Sequence, residues 1–326
     1  MIASADSHLV EPPEMYVKYA ARSWRTLAPQ RSRAGAQGDV YTVDGLSLVL
    51  PISEILGGAA RSWEDVPSAA WQRHARLDRQ DTSGVDAELL FPTLGLFLCQ
   101  HPDREYYDAF AWAYNRWLAE EWSGSERLGL VAMLGAHGEP RSWSKAVTFA
   151  GAHRMRGLLL PSEPSDGRWS DATYDSLFRE MGAAGLVACF HAFSRPLRRG
   201  ASRRSQAVFA AAHEAMDVLT ELVVGGTLDR VQDLRVLFGE GETWWLGEWV
   251  RRMREMGCGE AMDRVRVTGS AWPDHGGEIS LWADDYPHGA MRTVDPQSSA
   301  DDLLGGVPAG FSDGAFWGAT PGDASS

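Results

Sequence analysis

The sequence predicts an α/β protein, a single (β/α)8 TIM-like barrel with an insertion after its first strand. Three observations predict it. Short apolar runs alternate with stretches of helical period along the chain, the pattern of a parallel sheet covered by helices. The apolar runs number eight, the count of a closed barrel. The chain has 326 residues, enough to bury one large core of that kind.

The first strand, Ile2–Ser7, is apolar and runs into Asp6-Ser7-His8, then Glu11-Pro12-Pro13. Arg22–Ser68, rich in Gly, Pro and Arg, breaks the rhythm and reads as a lid-like insertion over the barrel mouth, not a separate domain. The alternation resumes with helix Arg73–Ser83 and strand Ala87–Pro92, then helix Arg104–Trp122 and strand Leu128–Met133. Helix Arg141–Ala152 leads to strand Gly157–Pro161, and helix Asp171–Ala183 to strand Leu186–His191. After a mobile basic loop at Ser194–Ser205 come helix Ser205–Gly225, strand Arg235–Glu240 and helix Thr243–Glu255. Strands Arg264–Thr268 and Ile279–Asp284 complete the count, and Asp301–Gly305 reads as a short helix. The barrel domain is expected over 1–304, with a frayed tail rich in Gly and Ser over 305–326.

Composition excludes several function classes. A net charge of −13 disfavours a nucleic-acid or anionic-membrane partner. The three cysteines, Cys99, Cys189 and Cys258, form no C-x-x-C pair, so neither a disulfide framework nor a zinc ribbon is expected. No stretch approaches the length of a membrane span. With the Asp6 motif so close to the start, the expected location is cytoplasmic. The partner expected is a small-molecule substrate.

Candidate chemistry collects at the strand ends. Asp6 and His8, two apart on one strand, point the same way and can grip a metal from one side. His191 closes the fifth strand, Glu240 the sixth and Asp285 the eighth. In a barrel these ends share one face, where active sites form. Each residue also has a plainer role: Asp6 as a loop cap, His8 or His191 as a hydrogen-bonded core histidine. Adjacent Asp284 and Asp285 face opposite ways, so only one can reach the metal. Glu240 is the candidate acid or base. Glu242 suits the N-terminus of the next helix. His288 could orient a ligand or substrate. Arg76, with Asp78 and Asp81, reads as a solvated helix face, and Tyr114-Asn115 as structural. Trp244, Trp245 and Trp249 crowd just past Glu240; an aromatic mouth there suits a flat or unsaturated substrate. Gly239-Glu240-Gly241 lacks the third glycine of a nucleotide loop.

The segments ADSHLVEPP (Ala5–Pro13), DTSGVDAELLFPT (Asp81–Thr93), AWAYNRWLAEEW (Ala111–Trp122), FH (Phe190–His191), DLRVLFGEGETWW (Asp233–Trp245) and WADDYPH (Trp282–His288) resemble the amidohydrolase-related family. This family of metal-dependent barrels includes the aminocarboxymuconate-semialdehyde and γ-resorcylate decarboxylases. The resemblance implies one divalent metal ion, Zn2+ or Mn2+, on Asp6, His8, His191 and Asp285. It also implies a homo-oligomer. Beside such a metal the candidate catalytic residues are Glu240, Asp285 and His288, with Glu240 or Asp285 to shuttle the proton and His288 to orient a ligand or substrate carboxylate. Three positions differ from the family pattern. Asp6 stands where the decarboxylases often carry His or Glu, Glu240 stands where an acid-base histidine is frequent, and the closing Asn-Ala pair is missing. Gly157–Pro161 has no lysine, so a lysine-bridged pair of metals is not expected.

The expected function is a metal-dependent amidohydrolase-like enzyme acting on a small aromatic or unsaturated substrate. It would work by hydrolysis with a metal-activated water or by non-oxidative decarboxylation. A cyclase or dehydratase of a specialised biosynthetic pathway on the same site is an alternative, and so is a metal-free barrel acting as a binding protein.

Overall fold

The computed structural model describes residues 2–47, 49–57, 59–135, 140–195, 207–269 and 279–288. Its strands, in chain order, are β1 (Ala3–Leu9), β2 (Gln30–Arg33), β3 (Asp39–Thr42), β4 (Val49–Pro51), β5 (Ala87–Pro92) and β6 (Leu128–Met133). They continue as β7 (Gly157–Leu159), β8 (Val187–His191), β9 (Arg235–Gly239), β10 (Val265–Thr268) and β11 (Ser280–Leu281). Eight of them form one sheet in the order β1-β5-β6-β7-β8-β9-β10-β11, and every neighbouring pair is parallel. Main-chain bonds close the ring between β1 and the segment around β11. Ala5 N donates to Trp282 O at 3.0 Å, His8 N to Tyr286 O at 2.6 Å, and Asp285 N to Asp6 O at 3.1 Å. The expected (β/α)8 barrel is the fold observed.

The strands are barrel-like because they are apolar on both faces. Every residue of β6 is buried, as is every residue of β8. Parallel strands sandwiched between a barrel interior and covering helices require this. Helices start and stop where the sequence allows. Asp103 caps helix Arg104–Trp117, its carboxylate accepting from Glu105 N at 2.9 Å and Tyr106 N at 3.2 Å. The last turn, Leu118–Trp122, widens into a π-helix. Asn115 has the structural role expected: its amide donates to Met133 O and accepts from Met133 N, both at 2.8 Å, so the helix fixes the end of β6.

The insertion has its own structure. β2, β3 and β4 form an antiparallel sheet, and Tyr41, Val43, Leu50 and Ile52 join the same hydrophobic core as the barrel strands. Tyr41 Oη donates to Glu11 O at 2.9 Å, tying the insertion to the chain just beyond β1. Two sequence readings are corrected. Arg76 does not lie on a solvated face; it is fully buried and ion-paired with Glu88 at 2.7 Å. Glu242 does not open the next helix, which begins at Leu246 with Glu248 in its first turn; Glu242 is buried in the preceding turn. The Asp301–Gly305 helix and the tail lie outside the described residues, as does most of the Ser194–Ser205 loop.

Candidate metal centre

Asp6 and His8 sit on β1, both fully buried, with side chains turned to the same place as the period of two requires. His191 ends β8 and is also fully buried. Asp6 Oδ1 lies 3.3 Å from His8 Nε2 and 3.3 Å from His191 Nε2. Asp6 Oδ2 is held separately. It accepts from Thr268 Oγ1 at 2.7 Å, at the end of β10, and from Glu240 N at 3.1 Å. The far nitrogens of both imidazoles are anchored to main-chain carbonyls: His8 Nδ1 to Pro92 O at 3.1 Å and His191 Nδ1 to Ala192 O at 2.9 Å. Such bonds fix ring orientation and leave each Nε2 to face an ion.

Glu240, Asp285 and His288 form a second, adjoining cluster that shares His8. His8 Nε2 is 3.6 Å from Asp285 Oδ1. His288 Nδ1 lies 3.2 Å from Asp285 Oδ1 and 3.9 Å from Glu240 Oε1. The His288 ring stacks on His8 with centroids 4.1 Å apart, and its Nε2 lies 3.3 Å from Thr93 Oγ1. All six sequence-predicted site residues therefore meet at the carboxyl ends of the strands. They meet as two overlapping groups, with Asp285 grouped beside Glu240 and His288 and not beside Asp6 and His191.

Charge follows geometry. Burial opposes ionisation of Asp6, but His191 and His8 hold its carboxyl far below the usual range. Burial, then His288, pushes His8 down to about 4, so its imidazole is neutral at pH 7. Burial would lower His191 too, yet Asp6 outweighs it and raises the group to about 9. Burial likewise opposes the charge on His288, and Asp285 with Glu240 lifts it to about 10.

Of the buried side-chain atoms that make no hydrogen bond among the described residues, two lie at this site: His8 Nε2, which faces Asp6 Oδ1 at 3.3 Å, and Asp285 Oδ1, which faces His288 Nδ1 at 3.2 Å. Asp6, His8 and His191 bring two imidazoles and one carboxylate close enough together to hold a divalent cation, and His8 is shared with the adjoining Asp285 group. The residues fit such an ion.

Sequence reasoning missed two contributors. Thr268 fixes the second oxygen of Asp6, and nothing marks it in the sequence beyond its place at a strand end. Gly239 is the other. A Cβ built there would stand 2.4 Å from His191 Cδ2 and 2.9 Å from Asp6 Oδ2, so only glycine lets β9 pass behind these two side chains.

No family model matches the sequence, and no curated protein matches it. Solved structures do. An amidohydrolase from Mycobacterium avium subsp. paratuberculosis K-10 is similar, with a TM-score of 0.69 and 16% identity over 89% of this chain and 91% of that one. A manganese-bound 5-carboxyvanillate decarboxylase from Novosphingobium aromaticivorans DSM 12444 is similar, with a TM-score of 0.61 and 15% identity over 93% of each chain. A 2,6-dihydroxybenzoate decarboxylase from Rhizobium has a TM-score of 0.55 and 14% identity over 93% of this chain and 95% of that one. Since these likenesses span nearly the whole of each chain, the protein has the barrel fold shared by these amidohydrolase and decarboxylase structures.

Proposed function

We propose that this chain is a metal-dependent enzyme that removes CO2 from a small aromatic acid without oxidation. The observation that carries the reading is the buried cluster of Asp6, His8 and His191, with Asp285 in the adjoining group that shares His8. Those four residues would hold one divalent ion, Zn2+ or Mn2+. When bound, the ion would polarise a substrate carboxylate or carbonyl oxygen. The manganese in the 5-carboxyvanillate decarboxylase is consistent with this choice.

Decarboxylation needs an acid that can protonate carbon. Protonated His288, held between Asp285 and Glu240, supplies one. Its proton would go to the ring carbon bearing the carboxylate; the C–C bond would then break, its electron pair returning to the ring as CO2 leaves. A proton from water, relayed by the Glu240 carboxylate, would restore His288. Phe91, with its ring 5.1 Å from His191, adds an apolar wall. The insertion, tied to Glu11 through Tyr41, would cover the mouth and exclude water. A second reading is amide or lactone hydrolysis. Asp285 favours it, because its carboxylate, 3.6 Å from His8 Nε2, could take a proton from water. The substrate class supports a small-molecule partner and no nucleic acid, and a homo-oligomeric, cytoplasmic enzyme is the working expectation. Among the described residues no helix is long and apolar enough to cross a membrane.

The test is metal analysis of the purified chain followed by assay of hydroxybenzoates for CO2 release, with amides and lactones in parallel. About one ion per chain and metal-dependent CO2 release are expected. Hydrolysis alone would transfer the assignment to the second reading. No bound metal and no metal-dependent turnover would overturn both and leave a binding protein.

A further inference from the structure

The barrel seam between β11 and β1 is braced from helix Arg73–Ser83 by a buried charged network that the proposed chemistry does not use. Arg76, fully buried, donates from Nε to Glu88 Oε2 at 2.7 Å and from Nη1 to the carbonyl of His8 at 3.0 Å. One turn on, Arg79 donates from Nη1 to Glu88 Oε1 at 3.1 Å and from Nη2 to Asp284 Oδ2 at 2.7 Å. Asp284 Oδ1 accepts from Ser7 Oγ at 2.5 Å and Ser4 Oγ at 2.9 Å, both on β1. Both guanidinium groups lie over the ring of Tyr286, at 4.6 Å for Arg76 and 3.8 Å for Arg79.

Burying the Arg76 guanidinium and two carboxylates, with the Arg79 guanidinium half-buried beside them, is a poor way to gain stability, since desolvation cancels most of the attraction. What such a network does well is fix geometry. Here its contacts fall on the residues flanking Asp285, namely Asp284 and Tyr286, and on the main chain of His8. Asp285 follows Asp284 in a left-handed conformation, with φ 53°, which needs support from its surroundings.

We propose that Arg79 is a positioning residue for the metal centre: by bridging Glu88 to Asp284 and capping Tyr286, it sets Asp285 against His8. The inference rests on the metal-dependent reading above. Arg79 touches neither ion nor substrate, so its effect is read as metal affinity and not as turnover.

The experiment measures the dissociation constants of Zn2+ and Mn2+ by chelator competition, at a temperature well below unfolding, for the wild-type full-length chain and three variants. Arg79→Met should weaken binding by about 10–100-fold, the usual effect of removing a group that orients a ligand. Arg79→Lys should fall between, because one ammonium cannot span two carboxylates as a planar fork does. Arg127→Met, which breaks the exposed pair with Asp81, should leave binding unchanged. If Arg79→Met does not fold, Arg79→Lys decides the matter. Folded Arg79 variants with wild-type affinity, even at a lower melting temperature, would overturn the proposal and leave the function standing. A wild-type chain that takes up neither ion would overturn the function and, with it, this inference.

Discussion

Gly239→Ala isolates the geometry of the metal centre from its chemistry, because it adds one methyl group and removes no ligand. The new Cβ would lie 2.4 Å from His191 Cδ2, 2.9 Å from His191 Nε2 and 2.9 Å from Asp6 Oδ2. Carbon atoms pack comfortably at about 3.5 Å, so the His191 ring would have to retreat by about 1 Å. Neither neighbour can yield cheaply. The His191 ring is held through Nδ1 to Ala192 O, and Asp6 Oδ2 is held by Thr268 and Glu240 N. Metal–ligand distances tolerate only about 0.2 Å. The displacement is several times that, enough to cost one ligand and about 10–100-fold in metal affinity, or about 1.4–2.8 kcal/mol. Overpacking should destabilise the metal-free chain by about 1–3 kcal/mol as well. Chelator competition gives the first quantity and denaturant unfolding the second. A Gly239→Ala chain with wild-type affinity would refute the argument, since it would mean that His191 and Asp6 do not need their present positions to hold the ion.

Three further outcomes are expected. Glu240→Gln should lower turnover by about 10²–10⁴-fold while melting temperature and metal content stay unchanged, and Glu242→Gln should spare turnover; equal small effects would remove Glu240 from proton transfer. His191→Ala should strip the ion, and elemental analysis showing full occupancy would count against the assigned ligand set. Metal uptake should release a proton: in the metal-free chain Asp6 raises His191 to about 9, so below that pH the ion competes with a proton. Apparent affinity should climb about tenfold per pH unit toward pH 9 and flatten above it, and a pH-independent affinity between pH 6 and 8 would show that no proton on His191 competes with the ion there.

Much of this was legible in the sequence because barrel strands are apolar on both faces and end in the residues that matter. All eight strand runs found their places, and Asp6, His8, His191, Glu240, Asp285 and His288 converge as strand-end logic requires. The grouping was not legible. It depends on the turn after β11, a strand of only two residues, Ser280–Leu281, where six were expected. Beyond it Asp285 takes a left-handed φ and leans toward Glu240 and His288. Period-two reasoning separated Asp284 from Asp285 correctly but could not give the direction of a residue outside a strand. Arg76 was misread for a different reason. A charged residue among charged neighbours on a helix is usually solvated, and only the long-range partner Glu88, on β5, makes its burial possible. The order in the insertion was hidden because its strands of three or four residues are too short to show a period.

The backbone shows why the site needs unusual conformations. Among the described residues, five non-glycine positions have positive φ, and four of them, Phe193, Glu240, Glu242 and Asp285, follow the ends of β8, β9 and β11. Each such residue costs about 1–3 kcal/mol and persists only where its surroundings impose it. Two of the four put that strain to visible use on one ligand. Glu240 N donates to Asp6 Oδ2, and Asp285 N donates to the main-chain carbonyl of Asp6. The strained turns after β9 and β11 thus grip Asp6 from both its side chain and its backbone, while their own side chains, Glu240 and Asp285, stay free to meet His288. Under the proposed function, ligand placement and acid-base placement are therefore two ends of the same residues. A substitution that relaxes either turn should disturb metal binding and proton transfer together, whereas one that changes only the Glu240 carboxyl should disturb proton transfer alone.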